Sequence, residues 1–194
     1  NSDLLNEAKS LKINLSATLE AALLSELKAA RRDLWLAENK EAIDACNKKG
    51  GGVVLVPAGL WLTGPVVLKS NVNLHLATGA TLLFTADKSQ YPLVKANWEG
   101  LPQMRNQSPV SATGASNIAI TGKGIIDGNG DAWRMVKKDK LSETQWKKLV
   151  GSGGVLSDDK KTWYPSQQSL KGSKLSNPGA ISPEKDDAFY ASIK

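Results

Sequence analysis

The fold of this chain is decided by the stretch Gly50–Gly130, which opens GGGVVLVPAGLWLTGPVVLKSNVNLHLATGATLLF and closes SNIAITGKGIIDGNG. Short apolar runs rich in β-branched residues follow one another here, and Gly, Pro, Asn or Ser ends each run. This pattern is typical of short strands joined by tight turns. The predicted strands are Val53–Val56, Leu60–Leu62, Val66–Leu68, Val72–Leu76, Thr81–Phe84, Ile118–Ile120 and Ile125–Ile126.

Two of the turn-and-strand units nearly repeat, at Ser70–Leu74 and at Ser116–Ile120, 46 residues apart. A coil of a solenoid takes roughly 20–29 residues, so this offset suggests two coils of about 23 residues each. Stacked coils bury their inward side chains in one continuous core. We therefore predict parallel coils over residues 53–128, although an antiparallel sandwich with regular turns would give similar spacing. The positions expected to be buried are Val54, Leu74, Leu76, Leu82, Ile118 and Ile120.

The first 47 residues have a different pattern from the rest of the chain. No Gly or Pro interrupts Leu15–Asn47, and the apolar residues recur at helical spacing, which predicts one long helix. We therefore divide the chain into an α-helical segment, residues 1–47, and a β-rich part, residues 48–194. We expect Ile43 to anchor the end of the helix under the first coil. Leu19, Leu23 and Leu27 would then be buried only by a second molecule or a partner protein.

Composition limits the possible functions. The net charge of +6 comes entirely from residues 50–194, since residues 1–49 hold equal numbers of basic and acidic side chains. This mild positive bias suits a polyanionic ligand. The single cysteine, Cys46, excludes an internal disulfide framework, and no apolar run approaches the roughly 20 residues needed to span a bilayer. The chain begins with neither Met nor a signal peptide, so we expect a processed or excised segment.

From about Lys48 to Lys194 the chain resembles the N-terminal part of glycoside hydrolase family 28, the polygalacturonases, in their bacterial form. The resemblance is carried by the opening stretch and by YPLV, WEG and NIAITGKGIIDGNGDAW. It implies an incomplete, right-handed parallel β-helix in a protein that is mainly β, with a groove for polygalacturonate. It also implies inverting hydrolysis of α-1,4-galacturonosyl bonds in pectin, in the periplasm or outside the cell. Insertions that wall the groove in this family make Trp98, Trp133 and Trp163 candidates for sugar contact.

The catalytic motifs of that family do not occur in this sequence, apart from Asp-Asp, which occurs in a different context. These motifs are Asn-Thr-Asp, Asp-Asp, Gly-His-Gly and Arg-Ile-Lys; the only histidine, His75, lies in a strand pattern. The pair Asp186-Asp187 reads as the start of a helix, and Asp127 as part of a glycine-flanked turn. We therefore assign no catalytic residue and expect the 194-residue chain not to hydrolyse polygalacturonate. The sequence implies no metal and no cofactor, because neither a His/Cys cluster nor an Asp-rich calcium loop is present.

Residues 2–49 resemble a second family, the Ccd-type antitoxins, which pair with gyrase-poisoning toxins in the cytoplasm. The resemblance lies in LLNEAKSLKINLSATLEAAL and RRDLWLAENKEAIDACNKK. It implies that Arg31, Trp35, Glu38 and Asn39 contact a toxin. These antitoxins bind DNA through a ribbon strand that would precede Asn1, so we do not expect nucleic acid to bind. The alternative functions are therefore a toxin-binding or DNA-binding antitoxin, a self-associating helix, or a non-catalytic scaffold in a truncated or chimeric chain.

Overall fold

The computed structural model describes residues 10, 14, 16, 18–20 and 40–194. Its centre is a coil of short strands, in which consecutive strands belong to different sheets and pair in parallel with strands of the next turn. Every strand predicted from the sequence is present, and six further strands lie outside those predictions. The strands are β1 (Gly52–Val56), β2 (Gly59–Thr63), β3 (Val66–Val67), β4 (Val72–Leu76), β5 (Ala80–Phe84), β6 (Leu93–Trp98), β7 (Leu101–Asn106), β8 (Val110–Ser111), β9 (Ala119–Gly122), β10 (Ile125–Asp127), β11 (Val136–Lys137), β12 (Val155–Leu156) and β13 (Thr162–Tyr164).

Three turns of the coil are stacked. The first contains β1, β2 and β3, the second β4, β5 and β8, and the third β9 and β10. The resulting sheets are β1-β4-β9, β2-β5-β10 and β3-β8, and every pairing within them is parallel. This arrangement is that of a parallel β-helix. The prediction of parallel coils is confirmed, and an antiparallel sandwich is excluded for these strands.

The strand register corrects the coil length inferred from the sequence. Gly52 pairs with Val72, so the first turn takes twenty residues, whereas Asn73 pairs directly with Ala119. The offset of 46 residues therefore spans a single turn and not two. The second turn is longer because residues 85–109 are inserted between β5 and β8. They include the antiparallel hairpin β6-β7.

The core of the coil consists of inward side chains stacked from turn to turn. Val54 pairs with Leu74, and Leu74 with Ile120, so one inward position is occupied in all three turns. The predicted core residues Val54, Leu74, Leu76 and Leu82 are each 5% exposed or less. The prediction was wrong for Ile118 and Ile120, which are 40% and 45% exposed. Ile120 lies in β9 and Ile118 directly before it, and β9 is the last strand of its sheet, so no strand of the described chain stacks over them.

The opposite end of the coil is covered by a helix, α1, whose described part is residues 40–48. Ile43 is 3% exposed and belongs to the core, so its predicted anchoring under the first coil is confirmed. Asn47 fastens the end of α1 because its Nδ2 donates a 2.9 Å hydrogen bond to the carbonyl of Ser70. Leu19 is 61% exposed. The remaining N-terminal predictions lie outside the described residues. They are the long helix over most of Leu15–Asn47, the burial of Leu23 and Leu27, and the toxin contacts of Arg31, Trp35, Glu38 and Asn39.

The chain beyond β10 contacts the inserted segment 85–109, for example through Gln103 and Asn177 and through Tyr91 and Trp133. Its strands form a small antiparallel sheet in the order β11-β13-β12. Three helices accompany it: α2 (Glu143–Gly151), α3 (Gln167–Ser173) and α4 (Asp187–Ala191). Asp186 is the N-cap of α4 and accepts a 2.7 Å hydrogen bond from the amide of Phe189, which confirms that the Asp186-Asp187 pair starts a helix.

Candidate functional site

A cavity of about 750 Å³ lies where the inserted hairpin meets the C-terminal part of the chain. Its walls come from β6 and β7, from the turn after β10, and from residues 177–179 with α4. The two faces of the cavity are far apart in sequence, so it forms only when the insertion and the C-terminal segment are both in place. The lining residues used below are Tyr91, Trp98, Gln103, Arg105, Asn106, Trp133, Arg134, Asn177 and Tyr190.

The hairpin forms because a two-residue turn joins its strands. Glu99 and Gly100 both have positive φ, 51° and 84°, which is the requirement of a type I′ turn. The turn sets the register Trp98 opposite Leu101 and Val94 opposite Arg105. With this register, the guanidinium carbon of Arg105 lies 4.3 Å from the centre of the Trp98 ring. The hairpin therefore presents a stacked cation and indole to the cavity, with Trp98 half exposed.

A pair of aromatic side chains, Tyr91 and Trp133, also lines the cavity. The rings of Tyr91 and Trp133 meet edge to face, with centres 4.8 Å apart. Tyr91 is buried, and its hydroxyl donates a 2.8 Å hydrogen bond to the carbonyl of Thr85. Burial, followed by the negative charge of Asp87, raises the pKa of Tyr91 to about 12. Tyr91 is therefore a neutral, fixed support for Trp133 at physiological pH.

The position of Trp133 is set by the turn that follows β10. The amide of Asn129 donates a 2.8 Å hydrogen bond to Oδ1 of Asp127, and Asn129 itself is left-handed with φ 50°. This Asx turn leads into a 3₁₀ turn, Gly130–Ala132, that ends at Trp133. Asp127 thus has the turn-forming contact expected from its glycine-flanked sequence, and its carboxylate does not line the cavity.

Lys88 approaches the same indole from the outside. Its Nζ lies 5.7 Å from the centre of the Trp133 ring and donates a 3.3 Å hydrogen bond to Oγ of Ser166. Partial burial lowers the pKa of Lys88. These contacts join the insertion to residues 133 and 166, so they help to hold the two walls together.

The third wall is a turn closed by an ammonium group. Nζ of Lys185 lies 3.1, 3.5 and 3.0 Å from the carbonyl oxygens of Asn177, Pro178 and Ala180. The hydroxyl of Tyr190 donates a further 3.0 Å hydrogen bond to Ala180. Four donor contacts from two side chains therefore fix a segment that has no regular secondary structure.

The charges around the cavity are one-sided. Among its lining residues, all within the described range 40–194, there are arginine and lysine side chains but no aspartate or glutamate. Arg134 is neutralised by Asp131 at 3.0 Å, whereas Arg105 forms no ion pair with any carboxylate of the described residues. Such a site can bind an anionic group through a guanidinium and an apolar ring face through an indole. It holds no carboxylate for general acid or base catalysis.

Of the three tryptophans predicted to contact sugar, the structure brings two together. Trp98 and Trp133 both line the cavity. Trp163 lies elsewhere, against a separate cavity of about 560 Å³, and it is 7% exposed. Its indole nitrogen donates a 2.7 Å hydrogen bond to the carbonyl of Gly153. Trp163 therefore packs the small antiparallel sheet and is not placed with the other two.

Sequence reasoning missed Arg105, Gln103 and Tyr91. The one sequence feature that could have predicted the hairpin is the dipeptide Glu99-Gly100, which lies between two strand-length runs in Leu93–Asn106. A glutamate at a position of positive φ is uncommon, so the turn was not recognised. Without the hairpin, nothing in the sequence places Arg105 against Trp98.

Two further properties of the described residues concern the site and its setting. In residues 40–194 and the short described stretches before them, no group of three or more His, Cys, Asp or Glu side chains could hold a metal ion. The helices within the same residues are too short or too polar to cross a membrane.

The chain is therefore a parallel β-helix protein with a cavity lined by aromatic and basic side chains. Two curated proteins that it resembles are named as a galacturonosidase and a probable polygalacturonase. The chain is 39% identical over 128 residues to an exo-poly-α-D-galacturonosidase of Dickeya chrysanthemi, a match that covers 62% of this chain and 21% of the relative. It is 37% identical to a probable polygalacturonase of Vitis vinifera, over 44% of this chain and 18% of the relative. The chain thus spans about a fifth of the length of these relatives.

A solved structure and a second family complete the comparison. The hyperthermoactive exopolygalacturonase of Thermotoga maritima is 31% identical, with a TM-score of 0.46, over 70% of this chain and 27% of that one. Residues 1–50 match a different family, the post-segregation antitoxin CcdA. Both resemblances predicted from the sequence are confirmed: to the polygalacturonases of glycoside hydrolase family 28, and to the antitoxin at the N-terminus.

Proposed function

We propose that residues 48–194 are the N-terminal coils of a right-handed β-helix in a pectin-degrading polygalacturonase, and that the cavity binds galacturonate units. The observation that carries this proposal is the pairing of Trp98 with Arg105, a cation that has no carboxylate partner among the described residues. The pectin-degrading relatives support the same ligand class. We further propose that the protein is periplasmic or extracellular, where it would encounter pectin.

A galacturonate ring matches the two chemical features of the cavity. Its apolar face can lie on an indole, and Trp98 and Trp133 both line the cavity. Its carboxylate can accept charge-assisted hydrogen bonds from a guanidinium, which presents several N–H donors in one plane. Arg105 is placed for this role because its guanidinium stacks on the Trp98 ring. A sugar that contacts the indole therefore meets the cation at the same time.

Hydrolysis requires groups that this cavity does not provide. An inverting glycosidase uses two carboxyl groups about 6.5–9.5 Å apart, one to protonate the leaving oxygen and one to activate water. The lining side chains, all from the described residues, include neither aspartate nor glutamate. We therefore propose that this part of the protein binds and orients the polysaccharide, and that the catalytic carboxylates belong to a different part of the enzyme.

Binding of trigalacturonate, compared with its fully methyl-esterified form, tests the proposal by isothermal titration calorimetry. We expect the unmodified chain to prefer the acid, and Arg105→Gln to lower its affinity about tenfold or more, the loss of one charge-assisted hydrogen bond. Lys95→Gln is the matched control, because Lys95 is exposed on the same hairpin and does not line the cavity. It should change the affinity by less than about threefold, as expected for an exposed, screened charge. Equal binding of acid and ester by the unmodified chain would disprove the proposal.

A second function is supported by one specific observation, the match of residues 1–50 to the CcdA antitoxin family. In that case Arg31, Trp35, Glu38 and Asn39 would contact a Ccd-type toxin. Mixing the chain with such a toxin and measuring the mass of the complex by native mass spectrometry tests this function. A one-to-one or two-to-one complex that Trp35→Ala weakens would support it, and two separate masses would argue against it.

A further inference from the structure

The side chain of Gln103 is the buried neighbour of the cation in the cavity. Gln103 is 7% exposed, and its Oε1 lies 3.4 Å from Nη1 of Arg105. Its other end is also bonded, because Nε2 donates a 3.0 Å hydrogen bond to Oδ1 of Asn177. The amide thus bridges the hairpin and the wall formed by residues 177–180.

Chemistry fixes which end of the amide faces the guanidinium. Arginine has only donors, so the atom of Gln103 that meets Arg105 must be the oxygen. The nitrogen is then directed to Asn177, which offers its own amide oxygen. One orientation of Gln103 satisfies both neighbours, and the reversed orientation would place donor against donor at Arg105.

The backbone around Asn177 holds this arrangement in place. Asn177 has a positive φ of 45°, a conformation that asparagine adopts more readily than most residues. Lys185 binds three carbonyls of the same turn, and the amide of Met104 donates a 2.8 Å hydrogen bond to the carbonyl of Gly179. The turn is therefore tied both to Lys185, just before α4, and to β7, the strand that carries Gln103 and Arg105.

The two arginines of the cavity have different hydrogen-bond partners. Arg134 pairs with the carboxylate of Asp131 at 3.0 Å, and both side chains are exposed. Arg105 instead has a neutral amide oxygen, that of Gln103, at 3.4 Å, and Gln103 is buried. A buried neutral partner orients the guanidinium without cancelling its charge, so the full positive charge remains available to a ligand.

We propose that Gln103 is the residue that makes this cleft selective for the free acid of a uronic sugar over its methyl ester. This inference rests on the function proposed above. Gln103 acts as a positioning residue: it holds Arg105 over Trp98 and contributes no charge of its own. A glutamate at the same position would fill the same space, pair with Arg105 and remove the selectivity.

The test compares Gln103→Glu, Gln103→Met and the unmodified chain, with trigalacturonate and its methyl ester as the two probes. We expect Gln103→Glu to lose at least about tenfold in affinity for the acid, the value of one charge-assisted hydrogen bond, while its affinity for the ester is retained. Gln103→Met stays neutral but no longer positions Arg105, so we expect a smaller loss, again confined to the acid. Gln168→Glu is the matched control, since it adds the same charge on the exposed face of α3, away from the cavity.

The outcomes separate this inference from the proposed function. If the unmodified chain prefers the acid and both folded Gln103 variants keep the same acid-to-ester ratio, the role of Gln103 is disproved and the proposed function stands. If the unmodified chain shows no preference, both are disproved. Circular dichroism and thermal unfolding establish which variants are folded, and the Met variant, which adds no buried charge, keeps the test decisive if the Glu variant does not fold.

Discussion

The side-chain amide of Asn117 donates a 2.9 Å hydrogen bond to Oδ1 of Asn71, a residue 46 positions earlier in the chain. Both asparagines occupy the same corner of successive turns, and both have left-handed backbones, with φ 53° and 63°. The neighbouring serines stack in the same way, because the amide of Ser116 donates to Oγ of Ser70. These contacts align the second and third turns at the corner where the chain enters β4 and β9.

The first prediction concerns this asparagine pair. Asn117→Ala should lower the free energy of unfolding by about 1–3 kcal/mol, because it removes the hydrogen bond and places alanine in a left-handed conformation. Asn117→Gly loses the same bond but accepts the backbone without strain, so its loss should be smaller. Urea unfolding followed by circular dichroism measures both. Equal losses for the two variants would show that backbone strain contributes nothing at this corner.

The second prediction concerns the cap of the first turn. Ile43→Ala should destabilise the coil by about 2–5 kcal/mol, the usual cost of truncating a large buried aliphatic side chain. Ile43 is 3% exposed and lies against the core, whereas Leu19 is 61% exposed. Leu19→Ala is therefore the control, with an expected change within about 0.5 kcal/mol. A similar effect of the two substitutions on the urea midpoint would mean that α1 does not cap the core.

The third prediction follows from the raised pKa of Tyr91. Between the ordinary tyrosine value of 10.0 and the folded value of about 12, the unfolded chain releases this proton while the folded chain keeps it. The free energy of unfolding should therefore fall as the pH rises through this range. Tyr91→Phe cannot lose that proton, but it lacks the hydrogen bond to Thr85, which costs about 0.5–1.5 kcal/mol.

The measurement is the difference in unfolding free energy between Tyr91→Phe and the unmodified chain, at pH 7, 10 and 11. Other groups that titrate are common to both proteins and cancel in this difference. The variant should be less stable at pH 7, and its deficit should shrink at pH 11. A deficit that stays constant across this range would show that Tyr91 titrates normally.

The fourth prediction is that the 194-residue chain releases no reducing ends from polygalacturonate. The carboxylates near the cleft have other contacts: Asp127 holds the turn at Asn129, and Asp131 pairs with Arg134. A reducing-sugar assay with a protein-free blank and an active polygalacturonase as positive control checks this. Turnover above the blank that disappears on replacing Asp127, Asp131 or Asp187 would contradict it.

The coil could be predicted from sequence because its rules are local. Each strand is an apolar run between turn-forming residues, and the repeated Ser-Asn corner marks equivalent points of two turns. The number of turns was not predictable in the same way, since the insertion at residues 85–109 doubles the spacing without altering the corner. Ile118 and Ile120 have the alternating apolar pattern of a core strand. Their burial depends, however, on whether another strand lies over them, and the local sequence pattern does not predict that.

The site was predictable only in part, because its residues come from separate segments. Trp98 and Trp133 were recognised as large aromatic side chains in insertions, and the structure places both on the cleft. Trp163 has the same sequence features and packs elsewhere. Arg105 and Gln103 depend on the register of a hairpin and on a contact with Asn177, 74 residues away from Gln103. Sequence spacing carries no information on such a contact.

The insertion between β5 and β8 also bears on how a protein of this shape can change over time. In the first turn the same connection is only Gly64-Pro65, while in the second it is residues 85–109, yet β3 and β8 still pair in register. The scaffold therefore tolerates very different lengths at one corner, since only the strands must match their neighbours. The ligand contacts proposed above include the inserted hairpin, whereas the parallel pairing belongs to the strands of the coil. Natural variation or protein engineering can therefore replace the hairpin and leave the coil unchanged.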